Sequence, residues 1–311
     1  MINLNNTSNK TLNIILANTN KALNEVLKDI SPHDLEVISK AKDLKGLLAS
    51  ILQKSTTNPA QDRALLELLK NNPTLKELAN VSRTLKAFQN LLKADKDPLT
   101  AKLKELITQS LSDIKTIDEK SLKTKLQNSG IFLEAKLKDS PILKDVFSDD
   151  LKAVLQKTHA AIASSSHPLK NDLIQHIDKL SLQIDYYQLL SHLSNASTIY
   201  LPYSFDALED ANVTIKNAKN SKFFCDIELK LKEYGELKLR LGLFEKNNLN
   251  IDVVCQNQEL KNLLKENISE LKQELFQANI YPKEIRFLDD KKNDTYYENK
   301  QDIELGFEIK V

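Results

Sequence analysis

Between Cys225 and Cys255 the chain alternates apolar and polar residues through three successive runs, and no other stretch limits the possible folds so tightly. The first run is Cys225-Asp226-Ile227-Glu228-Leu229-Lys230-Leu231-Lys232. After Tyr234-Gly235 the second is Glu236-Leu237-Lys238-Leu239-Arg240-Leu241-Gly242-Leu243, and the third is Leu249-Asn250-Ile251-Asp252-Val253-Val254-Cys255. Period two with one apolar face builds half-buried strands, here a three-stranded antiparallel meander. From Gln258 the period changes. Leu260, Leu263, Leu264, Ile268, Leu271 and Leu275 recur at helical spacing among Lys and Glu. The pattern predicts one amphipathic helix over 258–278, laid across the face bearing Leu229, Leu239 and Ile251. Val213–Lys216 reads as an added first strand, Glu284–Leu288 as a returning strand, and the alternating Ile303–Val311 as a final one after the polar stretch 289–301. The fold class predicted is α+β: an all-helical amino-terminal region followed by a small antiparallel sheet covered by one amphipathic helix, the α+β part occupying 199–311.

The region from Thr11 to about residue 195 carries the opposite signal. A small polar residue precedes proline at Ser31-Pro32, Asn58-Pro59, Asn72-Pro73, Asp97-Pro98 and Ser140-Pro141. The polar side chain can accept from an orphan N–H at a helix start, and proline fits the first helical position because its missing N–H has no partner there anyway. Apolar residues at three- and four-residue spacing then mark eight helices. Among them are one from Leu75 to Leu92, one from Leu99 to Ile114, one from Asp118 to Leu137 interrupted at Asn128-Ser129-Gly130, and a long one from Leu169 to Leu193. The broad stripes suit a bundle, or loosely packed helices, better than strict heptads. Residues 1–10 are polar and read as a disordered start without the apolar core of a secretory signal.

Nothing in the residue inventory assembles a catalytic site. The five histidines make no metal-ligand motif, and five glycines leave little for a phosphate-cradling loop. His167, in a loop, reads as a surface residue. Cys225 and Cys255 fall on the same strand parity and read as small buried hydrophobes in a reducing cytoplasm. Forty-four basic against forty-three acidic residues give a net charge of +1, which argues against nucleic-acid binding through bulk charge. No apolar run is long enough for membrane insertion. The reading is therefore a non-enzyme with no cofactor, no metal and no small-molecule substrate.

One candidate partner-binding site stands out, the turn Glu233-Tyr234-Gly235-Glu236. Tyr234 reads as an exposed aromatic of the kind that anchors interfaces. Equally, Gly235 supplies a positive-φ turn position while Tyr234 packs locally.

The module resembles the carboxy-terminal domain of the flagellar hook-length control family. Ile227-Glu228-Leu229-Lys230-Leu231-Lys232-Glu233-Tyr234-Gly235-Glu236-Leu237-Lys238-Leu239 covers that family's first strands. Asn257-Gln258-Glu259-Leu260-Lys261-Asn262-Leu263-Leu264 covers its helix start, Leu271, Leu275 and Ile280 its later apolar positions, and Glu284–Leu288 its closing strand. Departures include Leu231 where the family often has Pro, Tyr234 where it has Leu, and Asn279 where it has Gly. The resemblance implies a cytoplasmic protein exported through the flagellar type III apparatus. Its amino-terminal part would gauge hook length against hook or hook-cap subunits. Its carboxy-terminal domain would contact the export-gate switch protein. The family's amino-terminal region is typically Pro/Gln-rich, whereas residues 11–194 here are Leu-rich, which keeps a second reading: a helical scaffold, not exported, that carries the same module.

Overall fold

Short polar side chains set the helix starts, and much of the helical architecture follows from where they sit. The computed structural model describes residues 77–139, 147–201, 203, 205–218 and 222–288, together with Asp62, Leu66, Leu69, Lys70 and Leu75. The polar start, the helices predicted before residue 62, four of the five polar-Pro pairs and the final strand 303–311 lie outside the described residues. Two compact units are present. One holds residues up to Ser110 and Asp118–Ser194, the other Leu111–Ile117 and the residues from Asn195 on.

In the helical unit, α1 (Val81–Lys93) begins where Asn80 accepts through its side chain from the Arg83 N–H at 3.1 Å. The sequence predicts a single helix from Leu75. The structure instead breaks it at Asn80, with a 3-10 turn over Glu77–Ala79 before the break. The break is held from a distance: the Tyr187 hydroxyl donates to the Ala79 carbonyl at 2.9 Å, and the Gln183 amide to the Asn80 carbonyl at 3.0 Å. At Asp97-Pro98 the predicted cap forms, with Asp97 accepting from the Leu99 N–H at 2.8 Å. The turn it caps leads into α2 (Ala101–Gln109), which ends well before the predicted Ile114. A capping box between Asp118 and Ser121 starts α3 (Glu119–Gln127).

Gly130 has φ +89, and a Cβ there would stand 2.9 Å from the Lys152 backbone nitrogen. The interruption at 128–130 is thus both a left-handed position and a point of close chain approach. Beyond it come α4 (Leu133–Asp139), α5 (Leu151–Ala163, capped by Asp150) and α6 (Lys170–Ser194). The helix α6 packs on α1 and α5, and α2 packs on the same two, so four helices close around one core. Phe88, Leu92, Leu103, Ile107, Leu155, Leu173 and Tyr187 in that core are at most 1% exposed. His167 departs from its predicted surface role. Its side chain is buried, 3.3 Å from Asp95 and 3.7 Å from Asp97, and accepts from the Leu169 N–H. A buried imidazole needs such partners, and no local sequence pattern announces them.

The second unit is a six-stranded sheet in the order β1 (Ser197–Tyr200), β2 (Leu208–Ala218), β3 (Lys222–Leu231), β4 (Gly235–Phe244), β5 (Asn248–Cys255), β6 (Tyr281–Leu288). The alternation identified from sequence is the alternation of faces. Leu229 pairs with Leu237, Leu237 with Cys255, and Leu241 with Ile251, all on one apolar side. Cys225, opposite Leu241, shares that side, and both cysteines are free thiols. The sheet is α+β as predicted but not wholly antiparallel, because β6 runs parallel to β5. A helical crossover lies between those strands and returns the chain to the starting end, which a hairpin cannot do.

The crossover is two helices, α7 (Gln258–Glu266) and α8 (Ile268–Gln277), where the periodicity predicts one. Asn267 separates them, its side-chain amide donating to the Leu263 carbonyl at 2.8 Å. Asparagine's appetite for local backbone bonds makes it a weak interior helix residue. Leu260, Leu264 and Leu275 join the cluster that holds Leu229, Leu239 and Ile251, so the helices cover the predicted face. Asn279 ends α8 at φ 59, with its own N–H bonded to Phe276 and that of Ile280 to the Leu275 carbonyl at 2.8 Å.

Candidate partner-binding surface

The β3–β4 turn is where the sequence places a binding site, and its backbone explains its residues. Leu231 pairs with Gly235 across the turn, and Gly235 takes φ +77 with no atom within 4 Å of where a Cβ would sit. Glycine is there for its backbone angle, not for space. Glu233, Gly235 and Glu236 are exposed, whereas Tyr234 is half-buried and packs against the apolar cluster under the sheet. With Lys238, Val254 and Gln256, the turn borders a shallow depression of about 330 Å³. Tyr234 therefore lines that depression while it packs on the cluster, and does not stand free of the surface.

The polar face of the sheet, the one that bears Lys238 and Val254, carries a feature the sequence only hints at. Reading across the register, Thr214, Asp226, Arg240, Asp252 and Arg286 lie side by side on β2 to β6. Their charges alternate in sign along the row from Asp226, the arrangement that cross-strand pairs favour. Asp252 is only 4% exposed and is held by a bidentate Arg286, at 2.7 and 3.0 Å. Beside this row the Phe224 ring lies over Gly242, and with Phe244 and Asn250 they bound a groove of about 510 Å³. Charged groups and aromatic walls in one groove suit a polypeptide or another polar ligand with apolar parts.

Further along the same strands lies Asp210, next to the irregularity between Leu208 and Asp210 in the β2–β3 register. One carboxylate oxygen is buried without a hydrogen bond, and burial pushes its pKa up to about 7, against the opposing pull of Lys230. On the apolar side, burial pushes the Cys225 thiol up to about 11, so it stays protonated and inert.

A third feature escaped the sequence altogether. Leu263, Leu271 and Phe276 on the crossover helices, and Tyr281 at the start of β6, are 40%, 42%, 53% and 43% exposed. The Phe276 and Tyr281 rings meet at 6.0 Å. In sequence these residues are indistinguishable from the core positions Leu260, Leu264 and Leu275, since all fit the same helical spacing. No group of three or more potential metal ligands is present among the described residues, and no helix among them is long and apolar enough to cross a membrane.

Residues 212–295 match the family model described as Flagellar hook-length control protein FliK. The match opens within β2 and takes in the rest of the sheet and both crossover helices, a little over a quarter of the chain. No curated protein and no solved structure matches the chain.

Proposed function

We propose that this chain is a hook-length control protein of the flagellar type III export system, whose sheet unit acts as the switch. The observation that carries the reading is that the family match falls wholly within the sheet unit. The match, 212–295, opens within β2 and takes in β3 to β6 and the helices that cover them, with no part of the helical unit. The role is one of binding, not catalysis. In this reading the sheet unit contacts the export-gate switch protein through the Glu233–Glu236 turn and the depression beside it. The helical region gauges length against hook or hook-cap subunits, and the chain passes from the cytoplasm through the export apparatus.

Hook length in the native bacterium tests this directly. Tyr234→Ala is expected to give over-long hooks with few filaments, and deletion of residues 60–160 to give shorter hooks. Normal hooks from both variants would remove the flagellar reading. One observation favours the alternative of a scaffold that is not exported: four helices of the first unit enclose a core that includes Phe88 and Tyr187. An exported ruler has to unfold such a core on its way through a narrow channel. Appearance of the protein in the medium only when the export apparatus is intact separates the two.

A further inference from the structure

The crossover helices α7 and α8 carry two unlike flanks. On one, Lys261, Lys265 and Lys272 recur at helical spacing. That flank looks toward β6: the Lys265 ammonium lies 5.4 Å from the centre of the Phe287 ring, and Phe276 meets Tyr281. On the other, Glu259, Glu266, Glu270 and Glu274 recur with Leu263 and Leu271 among them, and all six residues are exposed. The break at Asn267 does not scatter this second flank. The Asn267 N–H donates to the Leu263 carbonyl and the Leu271 N–H to the Asn267 carbonyl, both at 3.2 Å. The one-turn steps from 263 to 267 to 271 therefore continue through the break, and the two leucines stand about 12 Å apart along one rod.

Neither the glutamates nor the leucines of this flank serve the fold. Glu266, Glu270 and Glu274 follow one another at four-residue steps, where like charges destabilise a helix. None of the four glutamates has a lysine or arginine three or four positions away to offset it. Leu263 and Leu271 stand largely in water, although Leu260 and Leu264 beside them join the core cluster. The helices also cover the sheet unevenly. Ile251 and Val253 of β5 are buried, whereas Leu239 and Leu241 of β4 are half-buried, so the flank turned away from β6 borders further apolar surface.

We propose that the flank from Glu259 to Glu274 seats an amphipathic helix of a partner protein, one whose apolar stripe is bordered by Lys and Arg. Its apolar side chains pack on Leu263 and Leu271, and its cations meet the glutamates on either side. The glutamates extend over about 22 Å of helix, so the contact runs for roughly four turns. Charge selects this occupant over others. A second copy of the chain would set glutamates against glutamates, and nucleic acid or an anionic lipid surface would be repelled in the same way. The proposal is independent of the flagellar reading and of the Glu233–Glu236 turn, since it rests on this flank alone.

Fluorescence anisotropy with the full chain tests it. The probe is a labelled peptide of about five helical turns, with leucines on one face and lysines on the rest. It is expected to bind about tenfold tighter than a peptide of the same composition in scrambled order, and than one with glutamate in place of lysine. Leu263→Ser with Leu271→Ser is expected to weaken binding about tenfold, and Glu266→Gln with Glu270→Gln and Glu274→Gln by a similar factor. Removing three exposed charges from the helical unit, Glu77→Gln with Glu119→Gln and Asp172→Asn, is expected to leave binding unchanged. Thermal transitions that match the parent's are the check on folding. Equal binding of the scrambled peptide, or an equal loss from the helical-unit variant, would overturn the proposal in favour of bulk charge. Unchanged binding by the leucine variant would overturn it by placing the peptide elsewhere. So would self-association of the parent that the leucine variant lacks, which would assign the flank to a second copy. Binding of the parent, and not of the leucine variant, to phosphatidylcholine vesicles would overturn it as well, assigning the flank to lipid.

Discussion

The helical unit and the sheet unit solve the problem of buried polar groups in opposite ways. The helical unit turns polar groups inward and ties several of them to distant partners. Lys152, 7% exposed, reaches Glu134 at 2.6 Å, Asp185 at 3.0 Å and Gln188 at 2.6 Å. Lys136 meets the fully buried Asp150 at 2.6 Å, although burial still pushes the Asp150 pKa up. Tyr187 and Gln183 hold the carbonyls of a broken helix. The sheet unit keeps one face apolar and sends its charges to the other, where a row of opposite signs crosses the strands. Packing and long-range hydrogen bonds specify the first unit. Strand register specifies the second, and its surface is left with the freedom a binding module needs.

The largest test of that contrast is Phe88→Ala. The ring is wholly buried among the helices. Its loss is expected to cost about 3–5 kcal/mol, read as faster amide exchange through α1, α2, α5 and α6 in the native protein. A loss under about 1 kcal/mol would show that the core repacks readily, and the contrast would fail.

Asp210→Asn comes next and probes the charged side of the sheet. The carboxyl pKa is raised from 3.8 to about 7, so the folded state holds a proton that the unfolded chain releases. The associated stability is fully present below about pH 4 and is lost as pH rises through 7. The complete shift corresponds to roughly 4 kcal/mol at 1.36 kcal/mol per pKa unit, and partial solvation reduces it to about 2. Denaturant titrations from pH 4 to 8 should show the asparagine variant gaining on the parent by that amount as pH rises. A constant gap would mean that Asp210 titrates normally.

Lys246→Gly should have the smallest effect and the opposite sign. Glu245 and Lys246 at the β4–β5 turn hold φ 47 and 72, a region that side chains other than glycine's enter at a cost. Glycine at 246 is expected to raise stability by about 1 kcal/mol, measured from the denaturation midpoint. A destabilised variant would show that the lysine side chain contributes more than its backbone costs.

Legibility from sequence differed between the two units for a physical reason. In the sheet, adjacent side chains report on opposite faces, so Leu237, Leu239 and Leu241 could be placed on one side from spacing alone, and their partners confirm it. In the helices, spacing gave the long α6 nearly to its ends but ran through Asn80 and past Gln109. Local propensity cannot see a carbonyl that Tyr187 will satisfy from more than a hundred positions away. The turn at Glu233–Glu236 was found because Gly235 marks it. The depth at which Tyr234 sits was not, because that depends on what the sheet brings beneath the ring.

Element types, sheet faces, the change from helical to alternating period and the resemblance that the family match later met were all legible in the residues alone. Those are properties of neighbours a few residues apart, where periodicity and capping act directly. Packing in three dimensions set β6 parallel to β5, brought Asp226, Arg240, Asp252 and Arg286 into one row, and buried His167 between carboxylates. It also decided that Leu263, Leu271 and Phe276 face solvent while Leu260 and Leu264 do not. These depend on which distant surfaces meet, and a helical stripe carries the same spacing whether or not anything comes to cover it.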